Sequence, residues 1–176
     1  LAAKGYLTIL LPEITKEEWR KHFCEATLLP VDEFKRRMMI MGNPKELSKS
    51  LEIISAIDSE SISTAVLNSS IAKAKIQIVG YDYCNDVEGV FKKYFNCEKP
   101  FGEKGKLKEF PDAFVLSALE QYAKKNHIEN IILLSQDSDM IDYKSDVLTP
   151  KEIGKYLDGI LKEIAERSEA EKRDIE

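Results

Sequence analysis

Glu109-Phe110-Pro111-Asp112-Ala113 and Ile131-Ile132-Leu133-Leu134-Ser135-Gln136-Asp137-Ser138-Asp139 are the stretches that decide the fold. In the first, Pro111 stands where a helix begins, because its missing N–H is one of the donors that a first turn leaves unbonded. Apolar residues then recur at helical spacing (Phe114, Val115, Ala118, Leu119, Tyr122) until Asn126-His127. In the second, four consecutive apolar residues are too few for a helix and suit a strand buried on both faces, as in a parallel sheet. A helix leading directly into such a strand predicts an α/β domain. Asp112 then falls in the first turn of a core-facing helix, and Asp137 and Asp139 fall just past a buried strand. Ligands of open parallel sheets bind outside the carboxyl ends of the strands, where the last two acids lie.

Working outward, residues 6–11 read as a second short buried strand, broken by Pro12. Thr15-Lys16-Glu17-Glu18 has the form of a capping box and would launch a long helix through Trp19, Phe23 and Ala26. Asn43-Pro44 marks another helix start, and apolar spacing stays helical over residues 45–74, with a break at Asp58-Ser59. Residues 76–79 fit either the end of that helix or a short extended piece. Residues 86–95 are again helical, so 45–95 forms a mostly helical excursion from the sheet. Thr149-Pro150-Lys151-Glu152 combines a capping box with proline at the first helical position and would open the final helix. There is no internal repeat. Residues 1–162 read as one domain, and 163–176 as a charged helix or tail.

Composition narrows the class. The chain has 176 residues, enough for one sizeable core, with 43% hydrophobic and 32% charged residues, as in ordinary globular domains. No run approaches the roughly 18 apolar residues of a membrane helix, which predicts a protein without a membrane partner. Three widely spaced cysteines, Cys24, Cys84 and Cys97, argue against a disulfide frame or a zinc cluster and suggest a reducing, cytoplasmic setting. The net charge of −5 does not advertise a nucleic-acid binder, but it is unevenly spread. Residues 163–176 hold six acids and three bases, so the tail carries −3 and the remainder −2. Bases gather at Arg20-Lys21-His22, at Lys35-Arg36-Arg37, and at Lys99, Lys104, Lys106 and Lys108. Lys106 and Lys108 precede the Asp112 helix and are candidates for contact with substrate phosphates, although solvated loop lysines are the favoured reading.

The acids suggest metal chemistry. Hydrolysing a phosphodiester requires charge neutralisation on the phosphate and a water activated near neutral pH. One or two Mg²⁺ or Mn²⁺ ions held by three or four carboxylates supply both. The sequence offers no competing site: His22 and His127 are isolated, and there is no catalytic serine grouping, phosphate-binding loop or dinucleotide fingerprint. Each acid also has a purely structural explanation. Asp112 would favour the helix dipole, Glu18 would complete the capping box, and Asp137 and Asp139 would be turn residues bonding nearby backbone. Glu13 reads as a loop acid or as a group that supports the metal-facing acids without touching the ion.

At these residues the chain resembles the PIN-domain nucleases, and within them a bacterial group with a Lys-Glu-Phe-Pro-Asp-Ala helix start. That stretch is Lys108-Glu109-Phe110-Pro111-Asp112-Ala113 here, preceded by Tyr94-Phe95 and Pro100-Phe101-Gly102. Leu11-Pro12-Glu13-Ile14-Thr15, with Glu18 and Lys21-His22, is similar to the group's second-strand and helix pattern. Ser135-Gln136-Asp137-Ser138-Asp139 is similar to its later acidic turn. The resemblance spans about residues 6–160, loosely in the middle. It implies a Rossmann-like, three-layer α/β/α fold with a parallel sheet, and Mg²⁺- or Mn²⁺-dependent cleavage, most often of single-stranded RNA, with DNA also open. By position it makes Glu18 the helix acid, Asp112 the central acid and Asp137 the late acid, with Asp139 a fourth acid or the true late one. A further metal-binding aspartate expected at the end of the family's first strand has no counterpart here. An earlier segment or a partner fragment would supply it, and residues 1–176 alone would hold metal weakly. The alternative is a non-catalytic PIN-like module for binding or assembly. A homodimer and association with other domains of the same polypeptide both remain open.

Overall fold

The computed structural model describes residues 2–5, 7–41, 58–102 and 107–173. It divides into two compact units, Leu1–Val79 and Gly80–Glu176. Both are α/β, and in each the described strands form one parallel pair.

In the first unit, β1 (Leu10–Pro12) runs straight into α1 (Glu13–Met41). The strand is shorter and later than expected, and Pro12 ends it instead of following it. The helix begins two residues before Thr15, so the capping box does not form. Glu13 occupies the first turn instead, where an acid is favourable, and its carboxylate takes the Lys16 ammonium at 2.5 Å. Pro30 lies inside α1 and cannot bond the carbonyl one turn back. Just before it, the Thr27 hydroxyl donates to the carbonyls of Phe23 (2.7 Å) and Cys24 (2.9 Å).

The helix start expected at Asn43-Pro44 lies outside the described residues. α2 (Ser59–Ala74) begins at the expected break, with the Asp58 carboxylate accepting from the Ser61 amide at 3.0 Å. It ends at Lys75 in the left-handed region, φ 52°. Residues 76–79 resolve as extended backbone: β2 (Gln77–Val79) pairs with β1 in the register Leu10↔Gln77 to Pro12↔Val79. Of the two readings open for residues 76–79, the extended one holds, and the span 45–95 carries a strand of the sheet. Arg20 ties α1 to α2 through Glu60, Nη1 to Oε1 2.9 Å, and Ser63 and Leu67 are buried on α2.

In the second unit, α3 (Val87–Phe95) is capped by Asp86, which accepts from the Gly89 amide at 3.0 Å. α4 (Phe110–Lys125) is the core helix: Ala113, Val115, Leu116, Ser117, Ala118, Leu119, Tyr122 and Ala123 are all buried. It is buried more widely than one apolar stripe implies. It stops at Asn126-His127 as expected, with His127 at φ 55°.

β3 (Ile131–Ser135) pairs with β4 (Leu148–Glu152) in parallel, Ile131↔Leu148 to Ser135↔Glu152. β3 is not buried on both faces. Leu133 is 8% exposed, whereas Ile132 and Leu134 are 41% and 37% exposed, an alternation that gives the strand one core face. Between the strands lies the short helix α5 (Ser138–Ile141). β4 replaces the capping box expected at residues 149–152, and α6 (Ile153–Arg173) starts only after it. Burial of Leu148 and five pairings with β3 outweigh the local helix-start signals. A strand bonded on one side tolerates proline, as at Pro150.

Candidate active site

Helix α4 begins after a 3-10 turn, Leu107–Glu109, with Pro111 in its first turn as the sequence requires. Glu109 is the capping residue but its side chain makes no capping bond. Asp112 follows in the first turn, half-buried, directly before the buried Ala113. Phe110 packs on Phe101 (ring centroids 4.9 Å) and Tyr94 (5.0 Å), so the start of this helix is fixed by aromatic contacts.

At the carboxyl end of β3, the chain turns through Ser135-Gln136-Asp137-Ser138-Asp139. The Ser135 hydroxyl accepts from the Asp137 amide at 3.0 Å, and the Asp137 carboxylate accepts from the Asp139 amide at 2.7 Å, capping α5. Asp137 is exposed. Asp139 is more enclosed, its side chain 18% exposed, and its Oδ1 receives the Lys99 ammonium at 2.5 Å.

These contacts link the two acidic positions. Lys99 holds Asp139, while Pro100 and Phe101, the next two residues, are fully buried, and Phe101 packs on Phe110 at the head of α4. One three-residue segment thus bridges the acidic turn and the helix turn that carries Asp112. A second tie lies four residues past Asp139. The buried Tyr143 hydroxyl donates to Glu120 on α4 (3.0 Å) and is met by the Lys93 ammonium from α3, which also stands 4.7 Å from the ring centroid. Burial, then the facing Glu120 carboxylate, pushes the Tyr143 phenol well above its ordinary range.

Glu18 belongs to the first unit, on α1. With the helix starting at Glu13 it is no longer a capping residue, and no described residue makes a hydrogen bond or ion pair with its half-buried carboxylate. Lys108 is exposed in the 3-10 turn before α4. Lys106 lies outside the described residues.

In the sequence Lys99 is one of a basic run with no marked role, and nothing local singles out Lys93, Glu120 or Tyr143. Their partnerships span 23 to 50 residues, and no local pattern marks them.

The donor set (carboxylate oxygens without thiolate or imidazole) suits a hard cation such as Mg²⁺ or Mn²⁺. The fit is one of chemistry and not of grouping. Among the described residues no three His, Cys, Asp or Glu side chains are gathered so as to hold a metal ion. None of the three cysteines forms a disulfide with another described residue.

A parallel α/β protein with acids after a strand and at the head of the neighbouring helix is of the class that places its chemistry at strand ends. A family model described as PIN domain matches residues 1–140, and the chain belongs to that family. PIN domains are in general nucleases, which use divalent metals and act on nucleic acid. Neither the curated proteins nor the solved structures yielded a match. No helix among the described residues is long and apolar enough to cross a membrane.

Proposed function

We propose that this chain carries most of the active site of a divalent-metal-dependent endonuclease that hydrolyses single-stranded RNA. The supporting observation is the 99–101 segment, which joins the acidic turn after β3 to the first turn of α4. Asp112, Asp137 and Asp139 serve as the metal-facing acids of this unit, and Glu18 as the helix acid carried by α1. Mg²⁺ or Mn²⁺, when bound, neutralises phosphate charge and activates water. The protein's own residues position that chemistry: the packed aromatic head of α4 fixes Asp112, and the Asp137 cap fixes the turn. Lys108, exposed beside α4, contacts substrate phosphate, and Lys106 has the same role. The sheet strands belong to a Rossmann-like, three-layer arrangement.

A second reading has its own support. Asp137 caps α5 and Asp139 is paired with Lys99, roles that need no metal and that suit a non-catalytic binding or assembly module.

Incubation of the protein with labelled single-stranded RNA and DNA, in Mn²⁺, Mg²⁺ or EDTA, separates the two. The nuclease reading expects metal-dependent cleavage, faster on RNA, that Asp112→Asn lowers about a hundredfold or more. Equal cleavage by wild type and Asp112→Asn, or none in either, would favour the binding module.

A further inference from the structure

We infer that the exposed aromatic face of α3 is a stacking platform for the bases of single-stranded nucleic acid and lays the strand across the head of α4. The inference rests on the nuclease reading and names the surface that holds its substrate.

α3 carries apolar residues on two sides. Val90 is buried and seats the helix. Val87, Phe91 and Phe95, spaced so as to share another side, are 49%, 40% and 74% exposed. The described ring contacts of Phe95 are with Phe91 (centroids 6.2 Å) and Tyr94 (5.3 Å), both of its own helix, so this ring ties α3 to no other element. Phe91 in turn stands 5.3 Å from Phe110. The three rings form a row that runs from solvent to the first turn of α4, where Phe110 is followed by Pro111 and Asp112.

The charges beside the row select the partner. Lys92 neighbours Phe91 and pairs with Glu88 on the surface of α3. Lys108 is exposed in the turn before Phe110 and makes no ion pair with a described residue. Open ring faces next to an unpaired ammonium suit flat bases carried on a phosphate backbone. In a duplex the bases are stacked on one another, so only a single strand can offer them to the rings.

Fluorescence anisotropy of labelled oligoadenylate, measured in EDTA so that nothing is cleaved, reads this surface directly. Phe95→Ala is expected to weaken binding about tenfold, equal to about 1.4 kcal/mol and within what one stacked base contributes. Phe95→Trp is expected to bind at least as tightly as the wild type. An abasic strand of the same length keeps the phosphates and lacks the bases, so wild type and Phe95→Ala should bind it alike. Should Phe95→Ala fail to fold by circular dichroism, Phe95→Leu carries the same expectation. If Phe95→Ala binds oligoadenylate as wild type does, or loses the same factor on the abasic strand, the platform is overturned and the nuclease reading stands. A wild-type dimer that Phe95→Ala turns into a monomer, with binding of oligoadenylate unchanged, would make the face a contact between copies and overturn the inference. If the wild type binds no oligoadenylate yet cleaves RNA in Mn²⁺, the inference alone falls; if it does neither, the nuclease reading falls with it.

Discussion

Replacing Tyr143 by phenylalanine removes one oxygen and nothing else. The hydroxyl donates to the Glu120 carboxylate at 3.0 Å and accepts from the Lys93 ammonium, and the ring is 5% exposed, so the substitution opens little space but deletes hydrogen bonds to two charged groups. Such bonds contribute about 1.5–3 kcal/mol. Glu120 keeps the Lys93 ammonium at 3.8 Å, which prevents its being stranded and places the expected loss near the middle of that range, about 2 kcal/mol. The loss must also depend on pH in a defined direction. The native phenol is held above its ordinary value, so the folded state keeps its proton where the unfolded chain has released it. Tyr143 therefore contributes fully below about pH 10, and its contribution fades as pH rises beyond that, at up to about 1.4 kcal/mol per unit. Phenylalanine has no such term. Urea unfolding followed by far-UV circular dichroism at about pH 8 and about pH 10.5 should show the gap between the two proteins shrinking by about 0.8 kcal/mol. A variant as stable as wild type at the lower pH, or a gap that does not change with pH, refutes the reasoning.

Ser117 is buried on α4 with its hydroxyl bonded to nothing described, so Ser117→Ala should raise stability by about 1 kcal/mol. A fall in the denaturant midpoint would reveal a partner for that oxygen. Leu116 is completely buried, and Leu116→Ala should cost about 2–5 kcal/mol in the same unfolding experiment, a loss under 1 kcal/mol arguing against its central place. Gly89 occupies α3, where alanine usually adds up to about 1 kcal/mol. Here its Cβ would stand 2.3 Å from the Asp86 carboxylate that caps the helix, so Gly89→Ala should bring no net gain. A clear rise in melting temperature would show that Asp86 moves aside without cost.

What could be read beforehand follows the range of the forces involved. The start of α4 was legible because proline at the helix head and an apolar stripe are local signals, and Ile131-Ile132-Leu133-Leu134 marked β3 for the same reason. β4 was not legible. Thr149-Pro150-Lys151-Glu152 has every local mark of a helix start, yet pairing with β3, whose residues lie some way back in the chain, fixes it as a strand. β2 is three residues long, too short to show an alternation. The capping box at Thr15 failed because the chain passes from Pro12 directly into helix, which also leaves Glu18 without the structural role it was given. In the site, the acids could be nominated by their positions, but the ammonium that meets Asp139 comes from 40 residues away, and no spacing rule reaches that far.

The two pins on the connection between β3 and β4, at Asp139 and at Tyr143, have a consequence for proteases. Gln136, Asp137 and Ser138 are exposed and polar, the composition of a loop tip that is commonly nicked. An endoprotease must draw such a segment out into an extended form before it can cut. Here extension means breaking the Lys99 contact, the Glu120 contact, or both. Resistance to limited digestion at this loop is therefore set by a lysine and a glutamate that lie elsewhere in the chain, and nicking at the loop would report directly on the loss of either.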